Sequence, residues 1–239
     1  MSNFYTEISK YYDEIFPTGS AQISLIQELA GEAPKDILDV ACGTGGYSLG
    51  LKEAGYNITA IDLDEGMIEG LKQKDPAIDV HVLNMLDIEQ LNKKFDVIFC
   101  IGNSLVHLDN NEEIGKFFAI CKKCLKPQGK ILLQIVNYDR VLIKNIESLP
   151  LIKNDKVPLT FERYYEYLEH THKINFKSIL KVDGQELENQ VYLHPIQYCD
   201  IYELLDNLGY TDIEFYGSFK KDRFDSLESL PLIVTAKVE

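Results

Sequence analysis

The 239-residue chain carries 38 acidic against 24 basic residues, a formal net charge of −14, with 45% apolar and 26% charged residues. That balance supplies apolar material for a large core and sets the surface against polyphosphate, so nucleic acid is excluded as a partner class. Five cysteines, an odd number, argue against a disulfide framework. The start, MSNFYTEISKYYDEIF, has acids and tyrosines where a secretion signal needs bases and an apolar run. No stretch approaches the ~18 apolar residues of a membrane span. The expectation is a cytoplasmic protein that does not associate with membranes.

In chain order, helical stretches at 4–16 and 20–30 are separated by the turn signal Phe16-Pro17-Thr18-Gly19. Strands and helices then alternate. ILDV (37–40) precedes an amphipathic YSLGLKEA (47–54), and NITAI (57–61) precedes EGMIEGLKQK (65–74). Further strands are expected at 78–83, 95–101 and 130–136. The last two flank a helix over 112–125 that puts Phe117, Ile120, Cys121 and Cys124 on one face. Gly55, and Pro127 with Gly129, act as helix stops. Nearly continuous apolar strands alternating with helices predict a parallel sheet covered on both sides.

After Asn137 the pattern changes. Residues 159–193 alternate, are rich in aromatic and β-branched types, and contain the hairpin signal Asp183-Gly184. Two or three inserted antiparallel strands are expected there. A helix at 199–209 and strands at 211–217 and 231–238 complete the pattern. The domain plan is an N-terminal helical cover (1–30), an α/β domain (31–140 and 195–239) and an inserted antiparallel β subdomain acting as a lid (141–194).

The turn after the first strand decides between nucleotides. A dinucleotide fingerprint requires G-x-G-x-x-G, whose third glycine permits close helix–strand packing. Counting from Gly43 and Gly45, that third place is Ser48, and Gly46 stands beside it instead. Asp39, at the end of the first strand, would repel a pyrophosphate but suits a ligand with positive charge and no phosphate. S-adenosylmethionine, with its ammonium and sulfonium, is such a ligand. Asp62 ends the second strand, placed to accept hydrogen bonds from both ribose hydroxyls. The turn favours S-adenosylmethionine over a nicotinamide cofactor.

On these residues the chain resembles the class I S-adenosylmethionine-dependent methyltransferases. The family's acid-x-Gly-x-Gly-x-Gly motif matches Asp39, Gly43 and Gly45, with Ala41 in place of the first glycine. The resemblance implies a Rossmann-like, doubly wound, mostly parallel seven-stranded sheet in the order 3-2-1-4-5-7-6, the last strand antiparallel. It also implies that Leu63 and Met67 flank adenine and that Asn84 contacts its amino edge. Met85 and Leu86 would add backbone and apolar contacts, Tyr12 would cover the methionine end, and Cys100 would line the cofactor site. S-adenosyl-L-homocysteine would be the product.

FDVIFCIGNSLVHL (95–108) followed by KILLQIVNYDRVL (130–142) is similar to glycine N-methyltransferases and related small-molecule enzymes. In those enzymes an arginine directly before the Asn-Tyr-Asp run clamps the substrate carboxylate. Val136 stands there in this chain, and an isopropyl group cannot replace a bidentate guanidinium. Arg140 and Arg163 are therefore candidates to hold another acidic acceptor, with Asn103 beside them, and His107 is a candidate general base. His170 and His172 fall on one strand face without further ligands, so no metal site is expected. Cys121-x-x-Cys124 reads as core.

The reading is methyl transfer from S-adenosylmethionine to a nucleophilic N or O of a small molecule. A nicotinamide-dependent oxidoreductase and a non-catalytic S-adenosylmethionine-binding module are the alternatives. The sequence leaves the oligomeric state open.

Overall fold

The computed structural model describes residues 8–239, so the start of the helix expected at 4–16 lies outside the described residues. The described chain begins with two helical residues, 8 and 9, followed by a short helix α1 (Tyr12–Ile15) and by α2 (Ser20–Ala30), which ends where Gly31 turns into the left-handed region at φ +79°. Strands and helices then alternate: β1 (Asp36–Val40), α3 (Gly46–Glu53), β2 (Asn57–Asp62), α4 (Glu65–Lys74), β3 (Asp79–Val82) and β4 (Phe95–Cys100). The run continues with α5 (Asn111–Cys124), β5 (Leu125–Val136) and α6 (Tyr138–Ile143). Four strands follow, β6 (Ile152–Asn154), β7 (Leu159–Leu168), β8 (Lys173–Val182) and β9 (Gln185–Leu193). The chain closes with α7 (Tyr198–Asn207), β10 (Thr211–Tyr216) and β11 (Pro231–Lys237).

The first sheet has seven strands in the order β10-β11-β5-β4-β1-β2-β3. Pairing is parallel from β5 to β3, while β11 runs antiparallel to both β5 and β10. Counting only the strands of this sheet, this is the order implied by the resemblance. Alternation along each strand divides the core. Ile37, Ala60, Val97 and Phe99 pack beneath Leu25, Ile26, Leu51, Ile68 and Leu71 of α2, α3 and α4. Leu38, Ile61 and Ile98 face the other way, against Phe117, Phe118, Cys121 and Cys124 of α5. The cysteine pair is core, as its spacing on an amphipathic helix suggests. No helix among the described residues is long and apolar enough to cross a membrane.

The second sheet is antiparallel, in the order β6-β7-β8-β9. Asp183 and Gly184 both adopt positive φ (+50° and +72°), the two-residue hairpin that joins β8 to β9. The sheet has one strand more than expected, because β6 is only three residues long and carries no readable period. His170 and His172 do not share a strand face. Both sit in the turn between β7 and β8, with His172 at φ +52° and hydrogen-bonded through Nδ1 to Tyr167 Oη.

Two further elements escaped the pattern. Helix α6 has six residues, too few for periodicity, and is set by Asn137, whose side chain accepts the Arg140 N–H and donates to the carbonyls of Ser226 and Ser229. Pro127 and Gly129 do not lie in a loop after α5. They fall within β5, where Gln128 adopts φ +66° and the register against β4 shifts.

The second sheet reaches the crevice above the first through α1. Ile8 and Ile15 pack with Met67 of α4 on one side and with Phe161, Leu180 and Val182 of β7 and β8 on the other. At its other end Tyr165, Ile174 and Leu193 join the core that contains Tyr138 of α6.

Candidate active site

Five residues after β1 form the turn. Ala41, Gly43 and Gly45 take φ +59°, +55° and +79°. A Cβ on Gly43 would lie 3.2 Å from Cε1 of Tyr12, and one on Gly45 would lie 2.3 Å from Cδ1 of Leu71. The glycines thus let Tyr12 close over the turn from above and α4 press on it from the side. Ala41 departs from the family's glycine through its backbone, a left-handed conformation that costs an L-residue about 1 kcal/mol or more.

Two carboxylates flank the turn. Asp39 is 2% exposed and accepts a 2.7 Å hydrogen bond from Ser48 Oγ. Burial pushes its pKa up to about 7, the Ser48 bond opposes this, and neighbouring Asp62 adds to the rise. Asp62 accepts the Gly43 N–H through Oδ2 at 2.8 Å and the Asp64 N–H through Oδ1 at 2.9 Å. Burial raises its pKa too, against those backbone bonds. Paired acids held at raised pKa in low dielectric make a site that a cation would relieve. Tyr12 hangs over both, and burial, then Asp62, hold its phenol above the ordinary range.

A clamp that the sequence reading missed fixes this cover. Thr44 Oγ1 donates to Asp13 Oδ1 at 2.6 Å, and Lys74 Nζ bridges Asp13 Oδ2 and the Thr44 carbonyl at 2.5 and 3.1 Å. These residues lie 30 to 61 positions apart in sequence, beyond the reach of any motif.

The other side of the crevice is built on the segment after β4. Asn103 sits at φ +71°, accepts the Val136 N–H at 2.9 Å and donates to Tyr138 Oη at 3.0 Å. Both ends of its side chain are engaged, so it orients its neighbours. His107 ends a short 3-10 helix, Ser104–His107. Its side chain is solvent-accessible although protein surrounds it, and that crowding lowers its pKa below the usual value, keeping the imidazole neutral. Tyr165 of β7 stacks at 6.2 Å from the Tyr138 ring. Arg163 shares the face of β7 that carries Tyr165. Arg140 is on α6, two residues from Tyr138, and residues so spaced leave a helix on different sides. Helix geometry therefore does not bring it to Tyr165.

Residues 37–129 match a family described as a methyltransferase domain. A glycine/sarcosine N-methyltransferase from Aphanothece halophytica is 27% identical over 208 residues, covering 82% of this chain and 74% of that protein. A solved S-adenosylmethionine-dependent methyltransferase from Clostridium acetobutylicum covers 98% of both chains with a TM-score of 0.81 at 17% identity, a likeness of fold. The sugar N-methyltransferase KedS8 from Streptoalloteichus has a TM-score of 0.74 at 14% identity over 96% of this chain and 92% of that one.

Residues 37–129 form a methyltransferase domain, and the whole chain has the fold of S-adenosylmethionine-dependent methyltransferases.

The turn fits its cofactor on the chemistry of its groups: a buried carboxylate, Asp39, a half-buried one, Asp62, and between them a glycine whose missing Cβ leaves room under Tyr12. The remaining cofactor residues divide. Leu63 is 53% exposed next to Asp62, an apolar wall open to the crevice rim. Met67 is buried among Ile8, Ile15 and Phe161, so it supports α1. Asn84 accepts the Leu86 N–H at 2.9 Å and thereby caps the 3-10 helix Met85–Leu91. Met85 and Leu86 pack on the core from that helix, and Cys100 is buried at the end of β4 near both acids. The matched domain stops before the second sheet, so residues 141–194 lie outside it.

Proposed function

We propose that this methyltransferase acts on a nucleophilic nitrogen or oxygen of a small-molecule acceptor, seated between the Asn103–His107 segment and the inner face of the second sheet. The observation that carries the reading is the pair of buried acids around Gly43, closed over by Tyr12. When bound, S-adenosylmethionine supplies a methyl group on a sulfonium, open to in-line displacement. The chain's own work is to bind, align and exclude water, for which effective molarities of ~10⁵ M or more are available.

In this reading Asp62 holds the ribose, Asp39 compensates positive charge and Tyr12 covers the cofactor's reactive end. Leu63, Asn84 and the Met85–Leu86 backbone border the adenine. The second sheet and α1 act as a cover, and residues 1–30, 31–140 with 195–239, and 141–194 are the corresponding units. A neutral His107 is placed to take a proton from an acceptor that must lose one. The names of the relatives support a small acceptor, since one is a glycine/sarcosine and another a sugar N-methyltransferase.

The test is S-adenosylhomocysteine release from S-adenosylmethionine with size-matched amines and alcohols. Turnover of amines over alcohols is the expected result, with His107→Ala slowing only acceptors that are protonated at the assay pH. Cofactor binding with no release from any acceptor would sink the enzymatic reading of the crevice.

A further inference from the structure

Buried polar atoms without a protein partner are met by water, an ion or a ligand, or are held under strain. Among the described residues four side chains carry such an atom: Arg140 Nε, Arg163 Nε, Tyr165 Oη and Asn175 Oδ1. Asn175 is paired with Glu166 across β7 and β8, and its amide donates to that carboxylate, which places it on the outer face. Arg140 lies two residues along α6 from Tyr138, a spacing that puts the two on different sides of the helix. Arg163 and Tyr165 are different: two residues apart on β7, they share its inner face.

That face can be followed from one end of the crevice to the other. Phe161 meets Phe16 edge-on at 5.6 Å, and Phe16 lies 5.1 Å from Tyr12, whose ring covers Gly43. Tyr165 meets Tyr138, which is bonded to Asn103 at the end of β4. Phe161 and Tyr165 are about 13 Å apart along the strand, with Arg163 midway. Its guanidinium lies over the Phe161 ring at 5.8 Å and is tethered by one Nη2 bond of 2.7 Å to the Pro150 carbonyl. In a chain with 38 acids, no carboxylate among the described residues pairs with it. Its cross-strand neighbour is Ser178, too small to neutralise it.

Both orphans on this face can donate, and Arg163 can only donate. The complementary group is rich in acceptors and negatively charged. We propose that the acceptor carries an anionic group, a carboxylate or a phosphate, held by Arg163 Nε and Tyr165 Oη on the covering sheet. The second sheet thus supplies the acidic-group recognition that Val136 cannot. This rests on the crevice being the acceptor site, and it adds the substrate class and the two residues that select it.

The experiment uses the full chain and measures S-adenosylhomocysteine release with three matched series. These are amino carboxylates against their carboxamides, aminoalkyl phosphates against the parent amino alcohols, and simple neutral amines. Cofactor binding is measured separately by calorimetry. The wild type should prefer one anionic series over its neutral partners by about a hundredfold in kcat/KM. Arg163→Gln should erase that preference, Arg163→Lys should restore part of it, and cofactor affinity should stay within about twofold.

Tyr165→Phe covers the case in which the arginine variants fold poorly. The Tyr165 hydroxyl faces that of Tyr138, which keeps its bond to Asn103, so the melting temperature should fall by no more than a few degrees while KM for the anionic acceptor rises about tenfold. Preference for the carboxylate or the phosphate series identifies which anion is bound; either supports the proposal. Equal rates for charged and neutral partners overturn it, as does a preference untouched by Arg163→Gln and Tyr165→Phe. Release with neutral amines alone also overturns it, yet leaves the crevice intact as an acceptor site. Absence of release from every series, with cofactor bound, removes the acceptor site itself.

Discussion

On the seven-stranded sheet the polar groups at the crevice are carboxylates, Asp39 and Asp62, held at raised pKa by burial. On the inner face of the four-stranded sheet they are donors, Arg163 Nε and Tyr165 Oη, without partners. The two sheets also differ in how they hold these groups. The acids are fixed by local bonds, from Ser48 nine residues on and from the Gly43 and Asp64 backbone. The donors are fixed by packing, Arg163 on Phe161 two residues before it and Tyr165 on Tyr138 from a distant helix. The contrast teaches that one crevice carries opposite electrostatic demands: a floor suited to a cation and a roof suited to an anion.

The comparison breaks first at the seam. Phe161 is buried between the roof and α1, and Phe161→Ala should destabilise the protein by about 3–5 kcal/mol. At roughly 2–4 °C per kcal/mol this is a large drop in a single thermal transition. Two separate transitions, with only the smaller one shifted, would instead show the roof to be an independent lid.

Next in size is Asp62→Ala, which removes the acceptor of the Gly43 N–H as well as the proposed ribose contact. Affinity for S-adenosylmethionine should fall about a hundredfold, or roughly 2.7 kcal/mol, by calorimetry. An unchanged affinity would mean that the floor is not where the cofactor binds. The smallest effect belongs to Ala41→Gly. Relief of the left-handed strain is offset by the freedom glycine adds to the unfolded chain, so urea unfolding should move by less than about 1 kcal/mol.

The floor was legible in the sequence because its parts are close together and its periods are strong. Apolar strands, helices of eight to fourteen residues and the Asp39-to-Asp62 spacing all lie within local windows. The roof was legible as strands, since alternation and Asp183-Gly184 are local signals, but its docking was not. Nothing in the spacing of Phe161, Phe16 and Tyr12 announces that they stack. Asn103 was read as a substrate contact, whereas Val136 and Tyr138 occupy both ends of its side chain. Met67 was read as an adenine neighbour, whereas it is buried under α1. Tyr138 went unread because a tyrosine in a short helix is ordinary packing until its hydroxyl is located.

The most direct test of the account concerns the charge of the floor. Asp39 in the folded protein titrates at about 7, above its ordinary 3.8, so between those values the folded chain holds a proton that the unfolded chain lacks. Stability from this group is therefore lost as pH rises through that window, and a bound cation should lower the pKa and expel the proton. S-adenosylmethionine should be titrated calorimetrically from about pH 5.5 to about pH 8.5, in buffers of different ionisation enthalpy. The account predicts proton release that is greatest at the acid end of this range and falls away through about pH 7, affinity that rises with pH to about 7 and then levels, and loss of both features in Asp39→Asn. A flat affinity with no buffer-dependent heat in the wild type would contradict it.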